Sequence, residues 1–110
     1  MRNEKEDIVL KQCLSYLQHI GLYVWRNNTG AMKMPSGRFV HYGKCGSSDI
    51  IGITKDGRFL AVECKRNKGG VVSAEQVHFL STIKRNGGVA IVASSLEQLI
   101  EELKKNSVIE

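Results

Sequence analysis

The sequence has little proline and no long apolar run. Proline occurs once in 110 residues, and the composition is otherwise that of an ordinary globular protein, which excludes a disordered or fibrous chain. The apolar runs fall far short of the roughly 20 residues that a membrane span needs. The charged start of the chain also lacks the apolar stretch of a signal peptide. We therefore expect a soluble, cytoplasmic protein.

Cysteine is scarce as well. The three cysteines, Cys13, Cys45 and Cys64, are odd in number and widely spaced, which argues against a disulfide framework and is typical of a reducing compartment. Neither the cysteines nor the histidines have the C-x-x-C or H-x-x-x-H spacing of a zinc site. The sequence therefore gives no reason to expect zinc.

Length and charge point to one domain with an anionic partner. A chain of this size buries about two-thirds of its unfolded surface, so we expect a single domain over residues 1–110 without disulfide or metal support. Sixteen Lys and Arg residues against eleven Asp and Glu residues give a net charge of +5. That excess favours a polyanionic partner.

Hydrophobic periodicity predicts an α/β protein with the element order α-β-β-β-β-α-β-α. The predicted helices are Glu4 to Ile20, one that opens at Ser73 with a Gln76 capping box, and one capped by Ser94 with Glu97. The predicted strands are Leu22 to Trp25, Arg38 to Tyr42, Ser48 to Thr54, Arg58 to Lys65 and Val89 to Ala93, with a loop from Thr29 to Gly37. We also expect Trp25 and Phe39 to lie in the core.

The turn Lys55-Asp56-Gly57 decides which residues face one another in the central hairpin. If it is a three-residue loop whose glycine is left-handed, Thr54 faces Arg58 and Asp49 lies opposite Glu63. A two-residue turn made by the last two of these residues would instead place the two carboxylates on opposite faces. The register is therefore a testable part of the prediction.

In the first register, three charged side chains share one face of the sheet. Glu63 and Lys65 alternate with Cys64, so the acid and the lysine point the same way. Two opposed carboxylates repel unless a positive charge lies between them, and either Lys65 or a divalent cation could supply it. Asp49 and Glu63 together offer the ligands that Mg²⁺ takes alongside waters and phosphate oxygens, and the backbone carbonyl of Cys64 could add another.

The same spacing is also typical of a solvated sheet face with a salt bridge. Burial distinguishes the two interpretations. Phe59 and Ala61 are expected on the face of Glu63, and a strand this apolar is not expected to be an open edge. Because ionisable groups on a half-buried face are costly without a function, we favour a functional site.

The residues around this pair resemble a known family. An Asp before one strand and Glu-x-Lys on the next match the PD-(D/E)xK nuclease signature. The surrounding sequence is similar to the VRR-NUC branch in its stand-alone form, and the similarity covers nearly the whole chain. The matching runs are Arg26-Asn27-Asn28-Thr29-Gly30, Gly46-Ser47-Ser48-Asp49-Ile50-Ile51-Gly52, Val62-Glu63-Cys64-Lys65, Ser73-Ala74-Glu75-Gln76, Phe79-Leu80, Gly87-Gly88-Val89-Ala90 and Ser94-Ser95-Leu96-Glu97-Gln98-Leu99. One departure is Ser48, where the superfamily name has proline.

The resemblance implies a Mg²⁺- or Mn²⁺-dependent deoxyribonuclease with a restriction-endonuclease-like core, a mixed central sheet flanked by helices. It implies that Asp49 and Glu63 bind the metal and that Lys65 is the catalytic lysine. It also implies that Gln76 is the family's glutamine on the helix after the motif strands. It also implies a homodimer that acts on branched or structured DNA, such as four-way junctions.

Two residues keep alternative roles. Gln76 is equally well explained as the capping partner of Ser73. Glu6 matches the acidic residue of the family's first helix and could support the metal. It also stands three residues after Asn3, the position of the acid in a capping box with Asn3 as the N-cap. For sequence-independent phosphate contacts we expect basic residues near the motif strands: Arg26, Lys33, Arg38, Lys44, Arg66 and Lys68.

Two other function classes stay open. One is a DNA-binding module on the same fold without catalysis, which intact Asp49, Glu63 and Lys65 disfavour. The other is a dimeric interaction protein whose basic charge is incidental.

Overall fold

The computed structural model describes residues 4–66 and 71–110, and within them the chain forms three helices and six strands. The helices are α1 (Glu4–His19), α2 (Ala74–Arg85) and α3 (Leu96–Lys105). The strands are β1 (Tyr23–Arg26), β2 (Gly30–Lys33), β3 (Phe39–Tyr42), β4 (Ile50–Ile53), β5 (Phe59–Cys64) and β6 (Val89–Ala93). None of the described helices combines the length and the apolar character needed to cross a membrane.

The expectation of a mixed sheet flanked by helices is confirmed. Four strands form one sheet in the order β1-β4-β5-β6, in which only the β5–β6 pair is parallel. The parallel pair needs a crossover, and α2 supplies it. Helices α1 and α3 pack on one face of the sheet, against Leu60, Val62 and Cys64, and α2 packs on the other, against Ala61 and Ala90.

The element order differs from the prediction by one strand. Residues 30–33, expected within a loop, form β2 and pair with β3 in a separate two-stranded hairpin. Every residue of β2 and β3 is exposed, so no alternation of buried and exposed positions marks them in the sequence. Trp25 and Phe39, expected in the core, are 45% and 61% exposed. Trp25 lies in the edge strand β1, and Phe39 lies in the separate β2–β3 hairpin.

The last helix begins one residue later than predicted. Ser95, and not Ser94, is the N-cap, and its side chain accepts a hydrogen bond from the backbone of Gln98. Gln98 also accepts from the backbone N–H of Ser94, so the serine pair shares the cap. The cap predicted for α2, Ser73 with Gln76, is confirmed as a reciprocal capping box.

The hairpin register that creates a carboxylate pair is confirmed. Gly57 has φ +87°, and its N–H donates to the Thr54 carbonyl at 3.0 Å. The N–H of Thr54 in turn donates to the Arg58 carbonyl at 2.9 Å. Ile50 pairs with Val62 on the adjoining strands, which puts Asp49, just before β4, opposite Glu63.

Gly52 is a point of close approach between β1 and β4. A Cβ added there would lie 2.1 Å from the Tyr23 carbonyl oxygen, so Gly52→Ala must push the two strands apart. We expect this substitution to lower the free energy of unfolding by about 2 kcal/mol. Gly30→Ala is the control, because its added Cβ meets only the movable side chain of Tyr42 in an exposed strand. Equal urea midpoints for the two variants would contradict the close approach.

Candidate active site

The acidic pair lies where the ends of several elements converge. Asp49 immediately precedes β4, and Glu63 is the fifth residue of β5 on the face covered by α2. Glu63 is 2% exposed, although Phe59, on the same face at the other end of the strand, is 41% exposed. The expected burial of the acid is therefore confirmed, and a fully solvated salt bridge is excluded for it.

Backbone and side-chain hydrogen bonds cross between the two strands at the pair. The Asp49 N–H donates to Glu63 Oε1 at 3.2 Å, and the Cys64 N–H donates to Asp49 Oδ2 at 2.8 Å. Each carboxylate is thus held by the backbone of the opposite strand.

Two further groups meet the other oxygen of Glu63. The ammonium of Lys65 lies 3.3 Å from Glu63 Oε2, with only 14% of the lysine side chain exposed. Gln76 Nε2 donates a hydrogen bond to the same oxygen. Lys65 is itself fixed by its backbone N–H, which donates to Ala93 in β6 at 2.9 Å.

Gln76 forms the predicted capping contact and also contacts Glu63. Its Oε1 accepts from the Ser73 N–H at 2.9 Å and completes the capping box, while its Nε2 reaches Glu63. The two ends of one amide therefore tie the start of α2 to β5. A capping position and a site position coincide because α2 begins directly above the acid.

A polar pocket of about 270 Å³ opens onto the pair. Its walls are the acids, Gln76 and polar residues from the loops that follow β1 and precede β4. The lining residues are Arg26, Asn27, Asn28, Thr29, Ser47, Asp49, Glu63 and Gln76. We call this the acidic pocket.

Asn27 clamps the loop that carries Asp49. Its backbone N–H donates to the Asp49 carbonyl at 2.7 Å, and its Nδ2 donates to Ser47 Oγ at 2.6 Å and to the Ser48 carbonyl at 3.0 Å. Ser47 Oγ donates onward to the Lys44 carbonyl at 2.6 Å. Sequence reasoning assigned neither Asn27 nor Ser47 a role, although both stand in the matched polar runs that flank β1 and β4.

The electrostatics of the pair favour a proton or a cation. Burial, followed by the nearby Asp49 charge, raises the pKa of Glu63 from 4.5 to about 7, and Lys65 only partly offsets these effects. A bound proton or cation would relieve both effects.

The remaining predicted residues are less tightly grouped. Glu6 belongs to α1, on the opposite face of the sheet from α2, and is not among the residues that line the acidic pocket. In the described part of the chain, no group of three or more His, Cys, Asp or Glu side chains is arranged to hold a metal. A metal role for Glu6 stays a prediction, as does a metal role for Asp49, Glu63 and the backbone carbonyl of Cys64.

The predicted DNA-contacting residues that the structure describes lie at four places. Arg26 lines the acidic pocket, Arg66 follows Lys65 on the surface, and Lys44 belongs to the loop before β4. Lys33 ends β2, and Arg38 precedes β3, so both lie near the turn of the exposed hairpin. Lys68 lies outside the described residues.

The raised pKa predicts how stability changes with pH. Between pH 4.5 and about 7 the folded protein keeps a proton on Glu63 that the unfolded chain releases, so the Glu63 contribution to stability falls as pH rises. In metal-free buffer with a chelator, Glu63→Gln should gain stability relative to wild type from pH 5 to pH 8. Glu101→Gln, an exposed position on α3, is the control. Parallel pH curves for wild type and Glu63→Gln would contradict the shift.

The adjacent serines should respond oppositely to removal of the hydroxyl. Ser47→Ala loses the bonds to Asn27 and Lys44, and we expect the free energy of unfolding to fall by about 1 kcal/mol. Ser48 Oγ is buried without a hydrogen-bond partner in the described structure. Ser48→Ala should therefore raise the free energy of unfolding by about 1 kcal/mol. Urea denaturation measures both. A loss in Ser48→Ala equal to that in Ser47→Ala would mean that the buried hydroxyl is paired.

Comparisons of this chain with known protein families, with curated protein sequences and with solved structures find no match in any of the three. The function proposed below rests on the contacts, burial and charge of the described residues.

Proposed function

We propose that the protein is a metal-dependent DNA endonuclease of the VRR-NUC type, with a restriction-endonuclease-like core, that hydrolyses phosphodiester bonds. The observation that carries the proposal is the buried Glu63, held opposite Asp49 and in contact with both Lys65 and Gln76. A purely structural ion pair has no need for a second acid at this position. The second acid is what a cation site requires.

The donor atoms suit Mg²⁺ or Mn²⁺. Asp49 and Glu63 supply hard carboxylate oxygens, and the Cys64 backbone, whose N–H already contacts Asp49, adds a carbonyl in the same segment. Burial and the nearby Asp49 charge raise the pKa of Glu63, and a bound cation would offset both effects. When bound, the ion would acidify a water and neutralise charge on a phosphate.

The protein's own groups would perform the remaining work. Lys65 brings a buried ammonium to the edge of the acid pair, where it can orient a water nucleophile or stabilise negative charge on the phosphate. Gln76 holds the Glu63 carboxylate in one orientation, and Asn27 fixes the backbone of Asp49. Both acids are thus preorganised by groups that come from other elements.

Nucleic acid is the partner that the charge distribution favours. The net charge is +5, Arg26 lines the acidic pocket, and the Lys65 ammonium contacts Glu63. Arg26 at the pocket wall and Arg66 after Lys65 are positioned to contact phosphates that flank the scissile bond. Lys33, Arg38, Lys44 and Lys68 would extend that contact over neighbouring nucleotides.

A homodimer acting on branched or structured DNA, such as a four-way junction, completes the proposal. One copy has one acid pair, and cutting two strands takes two. Apolar side chains on the protruding hairpin, among them Met32, Phe39 and Tyr42, are exposed and could be covered by a second copy. Ile8, on α1, is also exposed.

Cleavage of DNA tests the enzymatic proposal. We expect purified wild-type protein with Mn²⁺ or Mg²⁺ to cut branched DNA, and we expect Asp49→Asn, Glu63→Gln and Lys65→Met each to lower the rate by at least about 100-fold. The reason is that each variant removes a charge that acts on the phosphate or the metal. A chelator should abolish cleavage by the wild type.

Glu101→Gln is the matched control, because it removes an acidic charge on α3 away from the pocket and should cleave as the wild type does. Thermal unfolding of each variant separates loss of chemistry from loss of fold. Wild-type rates in Asp49→Asn or Lys65→Met would refute the assignment. Tight, salt-dependent DNA binding without cleavage in any metal would favour the silent binding module instead.

A further inference from the structure

A second and larger pocket, of about 530 Å³, lies between α2 and the loop before β4. Its lining combines two rings, a small apolar floor, a cation and a carboxylate. The lining residues are Lys44, Cys45, Ala74, Glu75, His78, Phe79, Thr82 and Ile83. We call this the α2 pocket, and neither the sequence analysis nor the proposed active site uses it.

One face of α2 forms a wall of this pocket. Glu75, His78, Phe79 and Thr82 are spaced by three and four residues, so they lie along one side of the helix. Gln76, which contacts Glu63, is the neighbour of Glu75 at the start of that wall. The α2 pocket therefore begins within about one helical turn, roughly 5 Å along the axis, of the residue that holds the acid pair.

The backbone around Gly46 separates the α2 pocket from the acidic pocket. A Cβ added to Gly46 would lie 2.7 Å from the backbone of Glu75, so the loop and the helix touch there. On one side of this contact stand Lys44 and Cys45, which line the α2 pocket, and on the other stands Ser47, which lines the acidic pocket. The two pockets therefore lie next to each other, on either side of Gly46.

The lining fits a nucleobase. Phe79 and His78 present rings on which a flat base can stack, and Ile83 extends the apolar surface. The Glu75 carboxylate can accept a hydrogen bond from an exocyclic amino group, and the Lys44 ammonium suits a phosphate attached to the same nucleotide. The volume is also within the range of sites that hold a small organic molecule.

We propose that the α2 pocket binds an unpaired base of the DNA next to the phosphate that is cut. The proposal rests on the proposed nuclease function and deepens it, because it names a substrate feature. A base stacked within a duplex cannot enter the pocket, whereas a base at a branch, a bulge or a single-stranded end can. The pocket would thus make a single copy of the chain prefer interrupted DNA.

Binding of two matched DNAs tests the proposal. One is a fully paired duplex, and the other has the same sequence with one unpaired 2-aminopurine, whose fluorescence reports stacking. Asp49→Asn serves as the background, so that no cleavage intervenes. We expect tighter binding to the DNA with the unpaired base, and we expect Phe79→Leu and His78→Ala each to reduce that preference by about 5- to 100-fold while leaving duplex binding unchanged.

Phe59→Leu is the matched control for Phe79→Leu, because Phe59 is also a partly exposed aromatic residue but lies at the far end of β5, outside this pocket. It should keep the preference. Equal losses on both DNAs, or an unchanged preference in Phe79→Leu and His78→Ala, would overturn the proposal. Leucine retains the apolar contacts of Phe79 with Leu80 and its neighbours, so the fold is expected to survive.

Cys45 supplies a second readout. It is exposed and lines the pocket, whereas Cys13 and Cys64 are buried. The DNA with the unpaired base should slow alkylation of Cys45 by iodoacetamide, and the duplex should not. Equal protection by both DNAs, or protection by neither, would count against occupation of the pocket by a base.

The outcome is independent of whether the protein cleaves DNA. If Phe79→Leu loses the preference but no metal supports cleavage by the wild type, the pocket assignment stands and the nuclease proposal fails. If cleavage depends on Asp49 and Lys65 but the preference survives in Phe79→Leu and His78→Ala, the nuclease proposal stands and the pocket assignment fails.

Discussion

The pairing of β4 with β5 in one register is the constraint on which the candidate site depends. The left-handed Gly57 in the connecting turn sets that register, and Asp49 and Glu63 face each other as a result. A slip of one residue would turn the Asp49 carboxylate toward the apolar layer beneath α1 and α3. A carboxylate buried in that layer would destabilise the fold, so the turn geometry and the candidate site are linked through a single glycine.

The sequence predicted the parts of the fold whose causes are local. The Lys55-Asp56-Gly57 turn, the capping box of α2 and the apolar stripes of the helices each act within a few residues, and each is found in the structure. Strand β3 was predicted, as Arg38 to Tyr42, but β2 and its pairing with β3 were not, because every residue of β2 is exposed and no periodic pattern marks it. Trp25 was misplaced because hydrophobicity does not reveal that its strand lies at the edge of the sheet.

The residues of the candidate site also divide into those with local causes and those that depend on distant pairing. Asp49, Glu63 and Lys65 follow from strand alternation and the turn, and Gln76 follows from the start of the next helix. Asn27 does not, because its contact with Asp49 requires β1 to lie beside β4. That pairing joins segments more than twenty residues apart, and no turn residue specifies it. The polar run after β1 is evident in the sequence, but its contact with the loop that carries Asp49 is not.

The position of β1 at the edge of the sheet affects how the structure opens locally. Edge strands have neighbours on one side only and are among the first elements to open when a protein unfolds locally. When β1 detaches, Asn27 releases the backbone of Asp49, although β5 stays paired on both sides and keeps Glu63 in place. The two acids therefore belong to regions of unequal rigidity. Amide exchange at the β1 edge would measure how long the acidic pair holds its geometry, while exchange from the interior of β5 would report the lifetime of the fold.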